Sequence, residues 1–199
     1  MKSHPALENS DHFYYTLIIA GFGGQGVLLI GNLLAYAAME DGRAVSFLPI
    51  YGVEMRGGTA DCTVVLSSQP IGSPIVQQAH SVIVMNPDSL EKYEKRIQPC
   101  GLLLLNSSLI EPHKVSRKDI EVLSIPFNEM ARESGNAKLA NMVALGALLE
   151  KTKLVRRASL VASFEKVLDK RYHPLIPLNI KALEKGAESI QSLPPCSSR

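Results

Sequence analysis

Residues 17–30 read LIIAGFGGQGVLLI: an apolar run, a turn with four glycines, and a second apolar run. The first run is too short for a helix and suits a buried strand. The second opens a stretch, Gln25–Glu40, of helical length and composition. A glycine turn between strand and helix is the opening unit of an open α/β sheet. Gly21, Gly23 and Gly26 have G-x-G-x-x-G spacing. In that pattern the first glycine permits the turn, the second lets main-chain amides approach a phosphate, and the third lets helix and strand pack closely. The helix N-terminus then offers N–H groups and a positive dipole end to an anion.

The remainder of the chain repeats the alternation. Ala44–Ile50, Asp61–Ser67, Val82–Asn86, Gly101–Asn106 and Glu121–Pro126 read as further strands. A helix begins at Pro87, where proline is tolerated, with Asp88 and Glu91 early and Lys92, Lys95 and Arg96 late, as the helix dipole favours. Residues 137–151, 156–169 and about 175–191 read as helices. The expected architecture is α/β: a Rossmann-like, mostly parallel sheet with helices on both faces and C-terminal helices. Residues 1–12 read as a flexible N-terminal lead, 13–191 as one Rossmann-like domain, and 192–199 as a flexible tail.

Bulk properties narrow the function. A net charge of +2, with no basic cluster interleaved with aromatics, argues against nucleic acid and against an anionic membrane surface. Cys62, Cys100 and Cys196 are far apart and the five histidines are scattered, so no iron–sulfur or zinc ligand set is expected. The polar N-terminus and the lack of a run of transmembrane length point to a cytoplasmic protein.

Several ligands suit a glycine turn. A dinucleotide needs an acidic residue at the end of the second strand to hold the ribose hydroxyls. That strand runs SFLPIYG; Asp41 precedes it and Glu54 lies several residues beyond. A nicotinamide cofactor is therefore disfavoured. Another phosphate or pyrophosphate ligand, or a turn shaped for a partner subunit, remains open. A Walker loop would need Gly-Lys-Ser/Thr at its end.

A second glycine cluster, YGVEMRGGTADC (51–62), follows the second strand and should share a rim with the first. Arg56 offers a bidentate clamp for phosphate or carboxylate, and is equally placed to pair with Glu54 or with an acid on another chain. Cys62 reads as a core residue and His80 as a loop histidine preceding a strand. With no nucleophile–base arrangement and no metal ligand set, no catalytic residue is assigned.

Together, GFGGQG, LPIYGVEMRGGTADCTVVLS, PIGSP (70–74), VIVMNPDSLEKYE, GLLLLNSSLI and NMVALGALLE (141–150) resemble the gamma subunit of the 2-oxoacid:ferredoxin (acceptor) oxidoreductases. The wording is most like the 2-oxoglutarate enzyme, with the pyruvate, branched-chain 2-oxoacid and indolepyruvate enzymes as alternatives. The resemblance implies CoA-dependent oxidative decarboxylation to an acyl-CoA and carbon dioxide, in a complex with alpha, beta and in some cases delta subunits, passing electrons to ferredoxin or another acceptor. Thiamine diphosphate, Mg and [4Fe-4S] clusters are expected on those companions, and this chain is expected to be inactive alone. Carried onto this sequence, Gly21, Gly23, Gly24, Gln25 and Gly26 become a phosphate cradle. Tyr51, Glu54, Arg56, Gly57 and Gly58 become a second loop lining either coenzyme A or the contact with the catalytic subunits. Asn141 matches a further family motif.

Overall fold

A computed structural model describes residues 12–52 and 58–192. Strand β1 (Tyr14–Phe22) has six consecutive buried residues, Thr16 to Gly21, because the sheet is covered on both of its faces here. It is followed by α1 (Val27–Glu40), β2 (Ala44–Tyr51), β3 (Thr59–Ser67), β4 (Ala79–Val84) and α2 (Pro87–Tyr93). Then come β5 (Ile97–Asn106), β6 (Glu121–Ile125), α3 (Phe127–Glu133), α4 (Ala140–Thr152), α5 (Arg157–Val167) and α6 (Ile176–Gln191).

The sheet order is β2-β3-β1-β4-β5-β6. Strands β1, β4, β5 and β6 pair in parallel, and β3 runs antiparallel to both β1 and β2. The mostly parallel expectation holds, with β3 as the reversed strand. Only residues 52–58 lie between β2 and β3, and the two strands pair antiparallel, which a short connection permits.

On one face Leu17, Ile19, Val64, Ile83, Leu104 and Leu123 pack beneath α1, α3, α4, α5 and α6. On the other, Ile18, Ala20, Val65, Val82, Val84, Leu103 and Leu105 meet Leu90 and Tyr93 of α2, with Val76 and Ile110 from neighbouring segments. Alternate residues of β1, β4 and β5 thus serve opposite cores, the period of two expected of a strand. Each fully buried leucine or isoleucine contributes about 1.5–3 kcal/mol relative to an exposed one.

Element boundaries differ from the sequence reading where backbone geometry intervenes. Helix α1 begins at Val27, not Gln25, because Gly26 adopts a left-handed conformation (φ 71°) that no helix interior accommodates. Strand β4 begins at Ala79, so His80 lies inside a strand and not in a loop before it. Its Nδ1 accepts a hydrogen bond from the Thr16 amide at 3.2 Å, and its ring stacks on Tyr15. Strand β2 continues past Pro49 to Tyr51. Helix α3, over FNEMARE, has too few apolar positions to stand out by periodicity. The proposed lead and tail fall almost entirely outside the described residues.

Candidate functional site at the carboxyl ends of β1 and β4

Neighbouring parallel strands β1 and β4 are followed by helices on opposite faces, α1 and α2. The chain therefore leaves in opposite directions and opens a crevice at their carboxyl ends, where open α/β sheets place ligands. The 22–26 turn forms one wall and Met85–Asn86 the other. Met85 N donates to Ala20 O at 2.9 Å, holding the walls together at their base.

Gln25 closes the crevice from inside. Its Oε1 accepts from Phe22 N at 2.7 Å and from Asn86 Nδ2 at 3.4 Å, while its Nε2 donates to Met85 O at 3.3 Å. Asn86 Oδ1 in turn accepts from Ser89 N at 2.8 Å and caps α2. Gln25 is thus a brace for the turn, and a ligand would meet main chain at the exposed Gly23 and Gly24. Gly21 is buried; a side chain there would collide with Gln25, Met85 and Val27.

Gly26 caps α1 without a side-chain acceptor, and the first turn of the helix carries no acidic residue. The amide and dipole capacity of a 14-residue helix is therefore not neutralised locally, which favours an anion. Asn141, at the start of α4, donates from Nδ2 to Gly26 O at 3.2 Å. Its role is a clamp on the turn, and its Oδ1 is buried without a hydrogen-bond partner.

The second glycine cluster reaches the same place. Gly23 N donates to Gly58 O at 2.9 Å, so the two loops meet on one rim as the strand order required. Tyr51 ends β2 with 71% of its surface exposed. Glu54, Arg56 and Gly57 lie outside the described residues.

Among the described residues, no acidic residue reaches the crevice in the manner of a ribose ligand. Asp41 lies beyond the far end of α1, about 20 Å away at 1.5 Å per residue. There it accepts from Arg156 N and Nε, both at 2.7 Å, and from Ser159 Oγ, tying α1 to the start of α5. Burial opposes its charge, but these hydrogen bonds outweigh that and hold its carboxyl below the usual range. Asp61 is buried on the α2 face of β3, 3.4 Å from Lys92 Nζ. Burial and the hydrogen bond to Asp61 push the Tyr93 hydroxyl up. Burial likewise pushes up the Cys62 thiol, which packs in β3 as a core residue. Among the described residues no group of three His, Cys, Asp or Glu is placed to hold a metal ion.

Three asparagines went unassigned in the sequence reading: Asn86, Asn106 and Asn128 follow or end β4, β5 and β6. Asn106 Nδ2 donates to Met85 O at 3.3 Å and to Asn128 Oδ1 at 3.2 Å. An asparagine at the end of an apolar strand, as in VIVMN and GLLLLN, was the available signal. Next to Gly24 and Gln25 a cavity of ≈ 150 Å³ is lined also by Met85, Asn128, Lys138 and Ala140.

Residues 16–189 match the family described as pyruvate ferredoxin/flavodoxin oxidoreductase. The chain belongs to this family. Among curated members it is 36% identical over 173 residues to ketoisovalerate oxidoreductase subunit VorA of Methanothermobacter thermautotrophicus, covering 85% of this chain but 35% of that relative. It is 32% identical over 177 residues to 2-oxoglutarate synthase subunit KorC of Methanocaldococcus jannaschii, covering 88% of this chain and 93% of the relative. The chain thus spans about a third of the first relative and nearly all of the second. Among solved members, the keto/oxoacid ferredoxin oxidoreductase gamma subunit from Geobacter sulfurreducens superposes with a TM-score of 0.76 at 26% identity, covering 90% of this chain and 99% of that one.

Proposed function

We propose that this chain is the gamma subunit of a heteromeric 2-oxoacid:ferredoxin oxidoreductase acting on 2-oxoglutarate, and that its rim binds the phosphates of coenzyme A. The observation that carries the subunit assignment is the near end-to-end match to KorC, a separate subunit of similar extent. The gamma subunit of G. sulfurreducens corresponds over 99% of its length, which supports the same reading. The ketoisovalerate relatives, at 36% and 34% identity, favour a branched-chain 2-oxoacid as the second reading.

The rim fits coenzyme A chemically. The uncapped α1 N-terminus and the exposed Gly24 main chain suit a pyrophosphate, with no acid among the described residues at the end of β2 for a nicotinamide ribose. Thiamine diphosphate, Mg and iron–sulfur clusters are assigned to the alpha, beta and any delta companions, and the complex is placed in the cytoplasm.

The test is to purify the complex from its native host and assay acyl-CoA formation with ferredoxin. The substrates are 2-oxoglutarate, 3-methyl-2-oxobutanoate, pyruvate and indolepyruvate. The expected result is highest kcat/KM with 2-oxoglutarate, with the isolated chain colourless and inactive. Preference for 3-methyl-2-oxobutanoate would move the assignment to the second reading. Turnover by the chain alone, or tight NADH binding without partners, would overturn the subunit reading.

A further inference from the structure

The cavity beside Gly24 has a lining of one polarity. Two backbone groups fix which end of each amide points where, since a carbonyl only accepts and an N–H only donates. Met85 O obliges Asn106 to present Nδ2, and the second N–H of that amide goes to Asn128 Oδ1. Asn128 therefore spends its acceptor inward and keeps its Nδ2 donors, which have no partner among the described residues. Phe22 N–H fixes Gln25 in the same way, so its Oε1 is also engaged internally. Lys138 is exposed at the cavity wall and its ammonium makes no ion pair among the described residues. Among the described residues no carboxylate lines the space.

We infer that this cavity is a second phosphate subsite, in which Lys138 and Asn128 Nδ2 hold a phosphate group of coenzyme A next to the group at the α1 N-terminus. The inference rests on the coenzyme A reading above. An ammonium and an oriented amide donor supply charge-assisted hydrogen bonds to a phosphate. The 150 Å³ of space is well above the ~30 Å³ of a water in the liquid. Asn106 is a positioning residue: fully buried, it sets the direction of the Asn128 amide at the expense of leaving its own Oδ1 unpartnered.

The full chain is titrated with coenzyme A, dephospho-coenzyme A, pantetheine and inorganic pyrophosphate. Variants are Lys138→Ala, Asn128→Asp and, as a control for net charge, the exposed Lys181→Ala. Coenzyme A affinity is expected to fall about tenfold in the first two and to hold in the third. Pantetheine binding should not respond to any of them. A Lys138 effect lost with dephospho-coenzyme A assigns the subsite to the 3′-phosphate; an effect retained assigns it to the pyrophosphate. Unchanged coenzyme A affinity in both variants overturns the subsite and leaves the coenzyme A reading standing. If the wild-type chain binds no coenzyme A but binds pyrophosphate in a Lys138-dependent way, the coenzyme A reading falls and the phosphate subsite stands. Binding of neither overturns both.

Discussion

Gly26 combines two requirements that sequence spacing shows only as a glycine. Its φ of 71° is strained for any other residue, and a Cβ would overlap Asn141 Nδ2. Gly26→Ala should destabilise the fold by about 1–3 kcal/mol in urea unfolding. Adding Asn141→Ala should recover part of that loss, because the overlap is relieved while the backbone strain stays. Gly23 differs: its φ is not in the left-handed region, and a Cβ would approach Gly58 O no closer than 3.6 Å. Gly23→Ala should therefore keep the melting temperature nearly unchanged while raising the KM for coenzyme A in the assembled complex. A KM that did not move would remove the phosphate role of this turn. His80 is held below its ordinary pKa by burial, and its Nδ1 accepts from Thr16 N, which a protonated ring cannot do. Because the folded state favours the neutral ring, this contribution is complete above about pH 6.5 and is lost as pH falls below it. Urea stability measured from pH 8 to pH 5 should decline less steeply in His80→Gln than in the wild type.

Among the elements, the α4–α6 crossing is the tightest. A Cβ on Gly146 would overlap Leu183 O, and one on Gly186 would overlap Val143 O, so each glycine faces the backbone of the opposite helix. Neither obstacle is the end of a flexible side chain, and the helices must separate to admit a methyl. Gly186→Ala should cost about 3 kcal/mol or more, read by thermal or urea unfolding. A loss under 1 kcal/mol would mean that the helices slide freely. The strands and most helices were legible because their apolar runs and lengths are distinct. Helix α3 was not, since FNEMARE buries only Phe127 and Ala131 and its remaining contacts come from tertiary placement. The reversed direction of β3 follows from the short β2–β3 connection, a signal present in the sequence but outweighed by the surrounding alternation.

In the whole molecule, the sheet is covered unevenly. Strand β1 is buried along its centre, whereas the edge strand β2 is half-exposed throughout and ends on exposed Ile50 and Tyr51. Hydrogen exchange should be slowest in β1, β4 and β5 and orders of magnitude faster at the outward amides of β2. Comparable protection in β2 and β1 would contradict this edge. By itself the sequence determined the α/β class, the strand–turn–helix unit at Gly21–Gly26 and the family, because short-range periodicity, glycine spacing and motif order are local properties of the chain. It also anticipated that the two glycine clusters share a rim, since both follow strands that run in one direction. Only the tertiary structure decided that Gln25 braces the turn and that Asn141 clamps Gly26. The same holds for Asn106, Asn128 and Lys138 sharing a corner with Gly24. Those contacts join residues up to 115 positions apart, and the side-chain directions that create them are fixed by packing, not by neighbours in sequence.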